Sequence, residues 1–356
     1  MHMHNTSPFL TRLGIQLPII LAPMAGVATP ELAAAVCNAG GLGSLGIGPS
    51  PLEQARQMIE QTRALTDKPF NINLFCHAPA QPDAAREAAW LQHLSPLFDD
   101  IGMPPPSTIK AGYPSAVEND QLFDMLLELR PAVVSFHFGL PAAERIRALQ
   151  EAGICLLATA TNLEEARLIE QAGLDAIIAQ GIEAGGHRGM FDPAADDEQL
   201  STAVLVRLLV LHTSLPVIAA GGIMDGQGIR AMLDRGSAAV QLGTAFILCP
   251  ESSANTAYRQ ALQSERAATT RLTASLSGRP ARGMLNRIIS HGDAAGSPPP
   301  AGYPIAYDAA KQLNAAASKQ GIHDFAAQWA GQGAPLARAL PAAELVQRLT
   351  EEWRGS

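Results

Sequence analysis

Residues 179–189 read A-Q-G-I-E-A-G-G-H-R-G, directly after the apolar run D-A-I-I. A histidine behind two glycines can be held in backbone geometry that other residues resist. Titrating near neutrality, His187 could accept a proton from a substrate carbon. It could equally donate to substrate oxygens as a neutral imidazole, or simply cap the loop. Glu183 precedes the glycine pair with Arg188 close by, so it reads as a backbone or arginine partner rather than a base. His137, in S-F-H-F-G (135–139), closes another apolar run. Gly221-Gly222 in A-A-G-G-I and Gly243-Thr244 in Q-L-G-T-A-F form two more glycine turns. Their backbone N–H groups suit a phosphate, although tight strand–helix turns need the same glycines.

Eight short apolar runs must position these residues. They lie at 18–22, 43–47, 70–75, 132–136, 154–159, 176–180, 216–220 and 238–243. Continuous apolar strands are buried on both faces, as in a parallel sheet. Most are separated by an Ala/Leu/Glu-rich segment long enough for one helix. In P-E-L-A-A-A-V-C-N-A (30–39), Thr29 is the expected N-cap, Pro30 opens the first turn and Gly40 stands past the end. The stretch 161–173 repeats this logic, with Thr161 or Asn162 as cap and Gly173 as stop. The expected fold is α/β, a closed (β/α)8 TIM barrel with a smaller helical subdomain; a doubly wound sheet is the competing architecture. The unit between the third and fourth strands is long, and G-Y-P at 112–114 reads as loop over the barrel mouth. After residue 249 the strand rhythm stops. The division expected is a barrel over 1–249, a helical subdomain over 250–308 and C-terminal helices over 309–356 returning to the barrel.

Chemistry in such a barrel sits at the C-terminal ends of the strands. Those ends carry A-P-M-A-G (22–26), N-I-N (71–73), S-F-H-F-G, A-T (158–159), Q-G-I-E-A-G-G-H, A-A-G-G-I and Q-L-G-T-A-F. The set lacks the paired acids of glycoside chemistry and any Asp/His metal cluster. A phosphate beside a flat, amide-lined, apolar floor points to flavin mononucleotide. Ala22 and Met24 would pack on the ring, and Asn71 or Asn73 and Gln180 would address its heteroatoms. Gly185, Gly186, Gly221, Gly222, Gln241, Gly243 and Thr244 complete the candidate cofactor set. G-L-G-S-L-G (41–46) matches a dinucleotide fingerprint in letters only, because a helix precedes it and a strand follows.

Composition narrows the classes further. The formal net charge is -8 and no basic run occurs, which argues against nucleic acid. No window approaches 18 uninterrupted apolar residues, which argues against a spanning helix. The opening M-H-M-H-N-T-S-P has no leader-like apolar core, so a cytoplasmic protein is expected. Cys37, Cys76, Cys155 and Cys249 form no C-x-x-C pair and read as buried small side chains.

Taken together, A-P-M-A-G, S-F-H-F-G, A-Q-G-I-E-A-G-G-H-R-G, A-A-G-G-I and T-A-F-I-L-C-P-E-S resemble the nitronate monooxygenase (2-nitropropane dioxygenase) family over about residues 11–330. The G-G-H loop alone is shared with flavin-dependent enoyl-acyl-carrier-protein reductases. S-F-H-F-G, S-G-R-P-A-R-G (277–283) and Y-P-I-A-Y-D-A-A-K (303–311) point to the monooxygenases, bacterial-type class I. The resemblance implies non-covalent FMN in a TIM barrel. It implies oxidation of alkyl nitronates such as propionate 3-nitronate by O2, through one-electron transfer to flavin, giving carbonyl products and nitrite without a metal. It places the catalytic histidine at His187 and substrate contacts at His137, Tyr113, Tyr303, Tyr307 and Lys311. Many relatives have glutamine before A-P-M, where this chain has Leu21; one flavin-side contact is then expected to be missing. From spacing alone, Tyr307 and Lys311 share a helix face if Pro304 opens a helix. That face would line a polar pocket for a small anion, or be an ordinary surface. The enzyme alternative is an NAD(P)H-dependent flavin reductase acting on enoyl thioesters or quinones; the non-catalytic one is a flavin- or phosphate-binding barrel. Monomer and homodimer both remain open.

Overall fold

The computed structural model describes residues 7–355 of the 356-residue chain. Residues 1–6, part of the segment read for a leader, and Ser356 lie outside the described residues. The strands are β1 (Ile19–Leu21), β2 (Gly43–Gly46), β3 (Phe70–Phe75), β4 (Val133–His137), β5 (Cys155–Ala160), β6 (Ala176–Gln180), β7 (Gly186–His187), β8 (Val217–Ala220), β9 (Ala239–Leu242), β10 (Thr270–Thr273) and β11 (Ala281–Met284). Each of the eight apolar runs forms one strand, with ends within one residue of those read from sequence.

Eight strands pair in parallel in the order β1-β9-β8-β6-β5-β4-β3-β2. Leu42 closes the ring against Ile20, with Leu42 N donating to Ile19 O (3.0 Å) and Leu21 N to Leu42 O (2.9 Å). The architecture is a (β/α)8 barrel. Side chains alternate across its wall. Leu21, Leu45, Ile72, Val134, Leu156, Ile177, Val217 and Val240 face the helices in one large core. Ile20, Leu157, Ile178, Ile218 and Ala239 pack inside the barrel, where Phe9, Leu10 and Leu13 of helix Pro8–Leu13 join them and stopper one end. The opposite end remains for a site.

Local signals worked as read. Thr29 Oγ1 accepts from Leu32 N (3.0 Å) at the start of helix Pro30–Asn38. Asn162, not Thr161, caps helix Leu163–Gln171, while Glu165 reaches back to Thr161 N. The glycines of 41–46 serve packing: a Cβ on Gly43 would lie 2.1 Å from Ala33 O, so helix Pro30–Asn38 rests directly on β2. No helix among the described residues is long and apolar enough to cross a membrane.

Past the barrel, the structure departs from the expected division. Residues 250–308 hold helices Thr256–Leu262 and Arg287–Gly292 but also β10 and β11, which pair antiparallel, and β11 pairs again with β7. T-R-L-T and A-R-G-M lack apolar alternation, because the strand pairs back onto the barrel loop and Gly283 lies against Gln328 and Trp329. The division at 308 falls inside helix Ile305–Ser318. That helix does not join the barrel's outer core. Its Ile305, Ala309 and Leu313 form a second core with Ile288, Ile289, Phe325 and, from the long β3–β4 unit, Trp90, Leu94 and Phe98 of helix Ala84–Asp99. Helix Ala342–Arg354 does join it, placing Leu345, Val346 and Leu349 in the barrel's outer core.

Candidate active site

A cavity of about 370 Å³ opens at the C-terminal ends of the barrel strands. Its wall includes the inward residues Ala22, Asn73, Phe75, His137, Gln180 and Gln241. Gly221 and Gly222, with φ of 127° and 71°, and the Gly243-Thr244 turn form one side. The backbone N–H groups of Gly222 and Thr244 have no acceptor among the described residues. Gln241 Oε1 is buried and unpartnered. Ala22 and Met24 lie against Gly243, with Met24 Sδ 3.5 Å from where a Cβ there would stand.

His187 comes from β7, whose backbone is gripped from two sides. Ala281 of β11 is its strand partner. Gln180, at the end of β6, donates from Nε2 to His187 O (2.9 Å) and accepts at Oε1 from Gly189 N (2.8 Å). Gln180 lines the cavity, but its amide ties down this loop instead of standing free for a flavin. His137 likewise lines the cavity with both nitrogens engaged. Its Nε2 donates to His187 O (3.2 Å), so its Nδ1 accepts from Thr159 Oγ1 (3.0 Å). Burial, with Arg279 and Arg188 adding to it, lowers its pKa to about 4, which keeps this ring neutral at pH 7. His137 thus faces the cavity with its ring nitrogens already engaged by Thr159 and His187.

The tautomer of His187 follows from its partners. Ser277 donates its one hydroxyl proton to Arg279 O (3.1 Å), so towards His187 Nε2 (2.8 Å) Ser277 Oγ is the acceptor. Nε2 carries the proton and Nδ1 the lone pair. Nδ1 makes no hydrogen bond among the described residues, on a residue that lines the cavity. Burial lowers its pKa to about 3, helped by His137, Arg279 and His77. Trp329, Tyr303, Phe138 and Tyr307 surround the ring at centroid distances of 5.1, 5.5, 5.7 and 6.4 Å.

The remaining residues divide. Tyr113, Tyr307 and Lys311 line the cavity, and Lys311 Nζ lies 4.5 Å over the Tyr307 ring. Burial lowers the Lys311 pKa, and the nearby Asp308 opposes this. Tyr303 stands behind the wall, its hydroxyl 2.8 Å from that of Tyr113. Asn71 does not reach the cavity either. It shares the inward face of β3 with Asn73 but lies two residues, roughly 7 Å, deeper, donating to Ser44 Oγ (3.1 Å). Asn73 lines the cavity and donates to Ser135 Oγ (2.9 Å), leaving Oδ1 open. Leu21 faces the outer helices, so a leucine there removes nothing from the cavity wall. Gly185 closes against Gly331, whose N would lie 2.5 Å from an added Cβ. Thr244 Oγ1 accepts from Gly331 N (3.0 Å). Glu183 accepts from Thr202 N and Oγ1 at the start of helix Thr202–His212, while Arg188 pairs with Asp197 (2.8 Å). Sequence reading missed Phe75, Ser277, Arg279 and Trp329. Only Ser277 and Arg279 had a signal, as members of S-G-R-P-A-R-G.

Fold and site together define a (β/α)8 barrel whose mouth gathers, around one cavity, the glycine turns at the seventh and eighth strand ends of the ring and the histidine of β7. The nitronate monooxygenase family model matches residues 7–352, and the chain belongs to that family. It is 60% identical to a nitronate monooxygenase of Pseudomonas aeruginosa over 98% of this chain and all of the relative. It is 58% identical to one from Paraburkholderia phytofirmans, over 98% of this chain and 95% of that one. A crystal structure of nitroalkane oxidase from Streptomyces ansochromogenes superposes with a TM-score of 0.89 at 40% identity, covering 97% of this chain and 98% of that one.

Proposed function

We propose that this chain binds FMN at the barrel mouth and oxidises alkyl nitronates, propionate 3-nitronate among them, with O2, giving carbonyl products and nitrite. One juxtaposition carries the reading: unsatisfied N–H groups at Gly222 and Thr244 face the same cavity as the unengaged Nδ1 of His187. The first suits a single phosphate, hence a mononucleotide. Gln241 Oε1, buried without a partner, suits a ring N–H, and Ala22 and Met24 suit an apolar ring face. When bound, the flavin would accept the electron removed from the nitronate.

The chain's own residues supply the rest. Lys311 at the mouth favours an anion. Tyr113, Tyr307 and Trp329 wall the cavity and limit water. An anion beside His187 favours proton uptake at Nδ1, and the ring then holds the nitro oxygens. From a neutral nitroalkane the same nitrogen could take the α proton. Gln180, His137 and Ser277 fix that ring in place. Anaerobic mixing tests the reading. A nitronate should bleach the bound flavin without NAD(P)H, and air should then restore it with nitrite released. Bleaching by NAD(P)H alone would overturn it in favour of a reductase of enoyl thioesters or quinones.

A further inference from the structure

The S-G-R-P-A-R-G loop places a second group behind His187. Arg279 is 3% exposed. Its Nη2 donates to Met190 O, its Nε has no partner, and no carboxylate among the described residues forms an ion pair with it. The contrast with Arg188, equally buried but bidentate on Asp197, is direct. Arg282 also lacks an ion pair, yet its Nε and Nη1 donate to Ile182 O and Thr270 Oγ1. A buried charge without a counter-ion is costly. Here it is held at a particular place: the guanidinium carbon lies 4.2 Å over the Phe138 ring, which meets His187 edge-on at 5.7 Å. Phe138 takes a left-handed φ of 74°, unfavourable for an aromatic residue, so the surroundings impose the ring's position. The carbonyl of the same arginine accepts the Ser277 proton and thereby sets the His187 tautomer.

We infer that Arg279 is a positioning residue and a specificity determinant: its unpaired charge, one aromatic ring behind the cavity, makes the site prefer an anionic nitronate to the neutral nitroalkane. The inference rests on the proposed function for the identity of the ligand. The groups facing His187 from the packed elements are His77, His137 and Phe138 from the ends of β3 and β4, Ser277 and Arg279 from the loop before β11, and Tyr303, Tyr307 and Trp329 from the C-terminal segment. Lys311 lies beyond Tyr307. None of these carries a negative charge at neutral pH; the carboxylates that act on Arg279, Glu165 and Asp192, do so at longer range without forming an ion pair with it. The Arg279 pKa, lowered to about 10 by burial, still leaves it cationic at neutral pH.

The test is binding of nitrate, a planar oxyanion, and of nitroethane to the flavin-loaded protein, followed through the bound flavin's visible spectrum. Arg279→Met should weaken nitrate about 20-fold, the effect of one charge across roughly 10 Å at an effective dielectric near 20, while leaving nitroethane unchanged. Arg279→Lys should keep most of the nitrate preference. Equal loss of both ligands in Arg279→Met would mark a structural role and overturn the inference, as would unchanged nitrate binding. If Arg279→Met does not fold, the lysine variant decides: loss of the nitrate preference in it overturns the inference, and retention supports it. Ser277→Ala should slow turnover without changing the nitrate-to-nitroethane ratio; a changed ratio would assign the effect to the hydrogen-bond chain and overturn the electrostatic account. Wild-type protein that discriminates nitrate from nitroethane yet never oxidises a nitronate would sink the proposed function and leave Arg279 standing.

Discussion

Replacing Gln180 by glutamate isolates the clamp that holds His187. The side chain is 7% exposed and has one donor bond, to His187 O, and one acceptor bond, from Gly189 N. Glutamate keeps the size and the acceptor. Ionised, it cannot donate, and its second oxygen confronts His187 O. The lost neutral hydrogen bond costs about 1 kcal/mol. Burying the carboxylate should raise its pKa by roughly 2 units above the usual 4.3, which costs about 3 kcal/mol at neutral pH. Arg188 offers little relief, because Asp197 already neutralises it. The sign follows from linkage. A folded pKa above the unfolded one means that the charge penalty is complete at high pH, shrinks as pH falls through the folded pKa, and is gone near 4.3. There the protonated acid donates to His187 O as the amide did. Urea unfolding of wild type and Gln180→Glu between pH 5 and 8 should show a deficit of about 4 kcal/mol at pH 8 that narrows steadily towards pH 5. Gln180→Leu, which orphans the Gly189 N–H, should show a deficit of about 2 kcal/mol without that slope. A flat difference for Gln180→Glu, or one smaller than for leucine, would refute the clamp.

Other outcomes follow from the same geometry. His187→Asn should lower nitronate turnover about 100-fold while the flavin stays bound, read from absorbance of the purified protein. His137 and His187 have folded pKa values lowered to about 4 and about 3. Their stabilising contribution is therefore complete above the unfolded value near 6.5 and is lost progressively as pH falls towards 4 and 3; denaturation midpoints should drop over that window, and less so in His137→Gln. Gly221→Ala places a Cβ 2.7 Å from Thr202 Oγ1 at a φ of 127°. It should cost about 2 kcal/mol and lower the flavin content, measured by the ratio of visible to ultraviolet absorbance. Lys311→Met should raise KM for an anionic nitronate about threefold, the scale of an exposed charge, with kcat and stability little changed in steady-state and melting assays.

The barrel was legible because each of its strands is a short, largely apolar run shortly preceded by glycine or proline, and both faces of such a strand are buried whatever the loops do. His187 was legible for a local reason too, being a histidine behind two glycines at a strand end. What was not legible lies at long range. His187 and Ser277 are 90 positions apart, and Trp329 comes from a segment with no periodic pattern. T-R-L-T and A-R-G-M become strands only because β7 offers them an edge. Asn73, Gln180, Gln241, His137 and His187 do line one cavity, while Asn71 does not, and what each side chain bonds to could not be read from its type. Asn73 and Asn71 differ by depth in one strand, and His137 and His187 differ by which nitrogens are already bonded.

The pairing of β7 with β11 also fixes an order of assembly. A growing chain that has released Thr244 has already made all eight barrel strands and both glycine turns at their ends. It has not yet made Ser277, Arg279 or Trp329. The histidine is therefore present in the barrel long before anything sets which of its nitrogens bears the proton. The last third of the chain thus has two tasks: it completes the barrel's helix layer through Ala342–Arg354, and it brings Ser277, Arg279 and Trp329 up to a histidine made long before them.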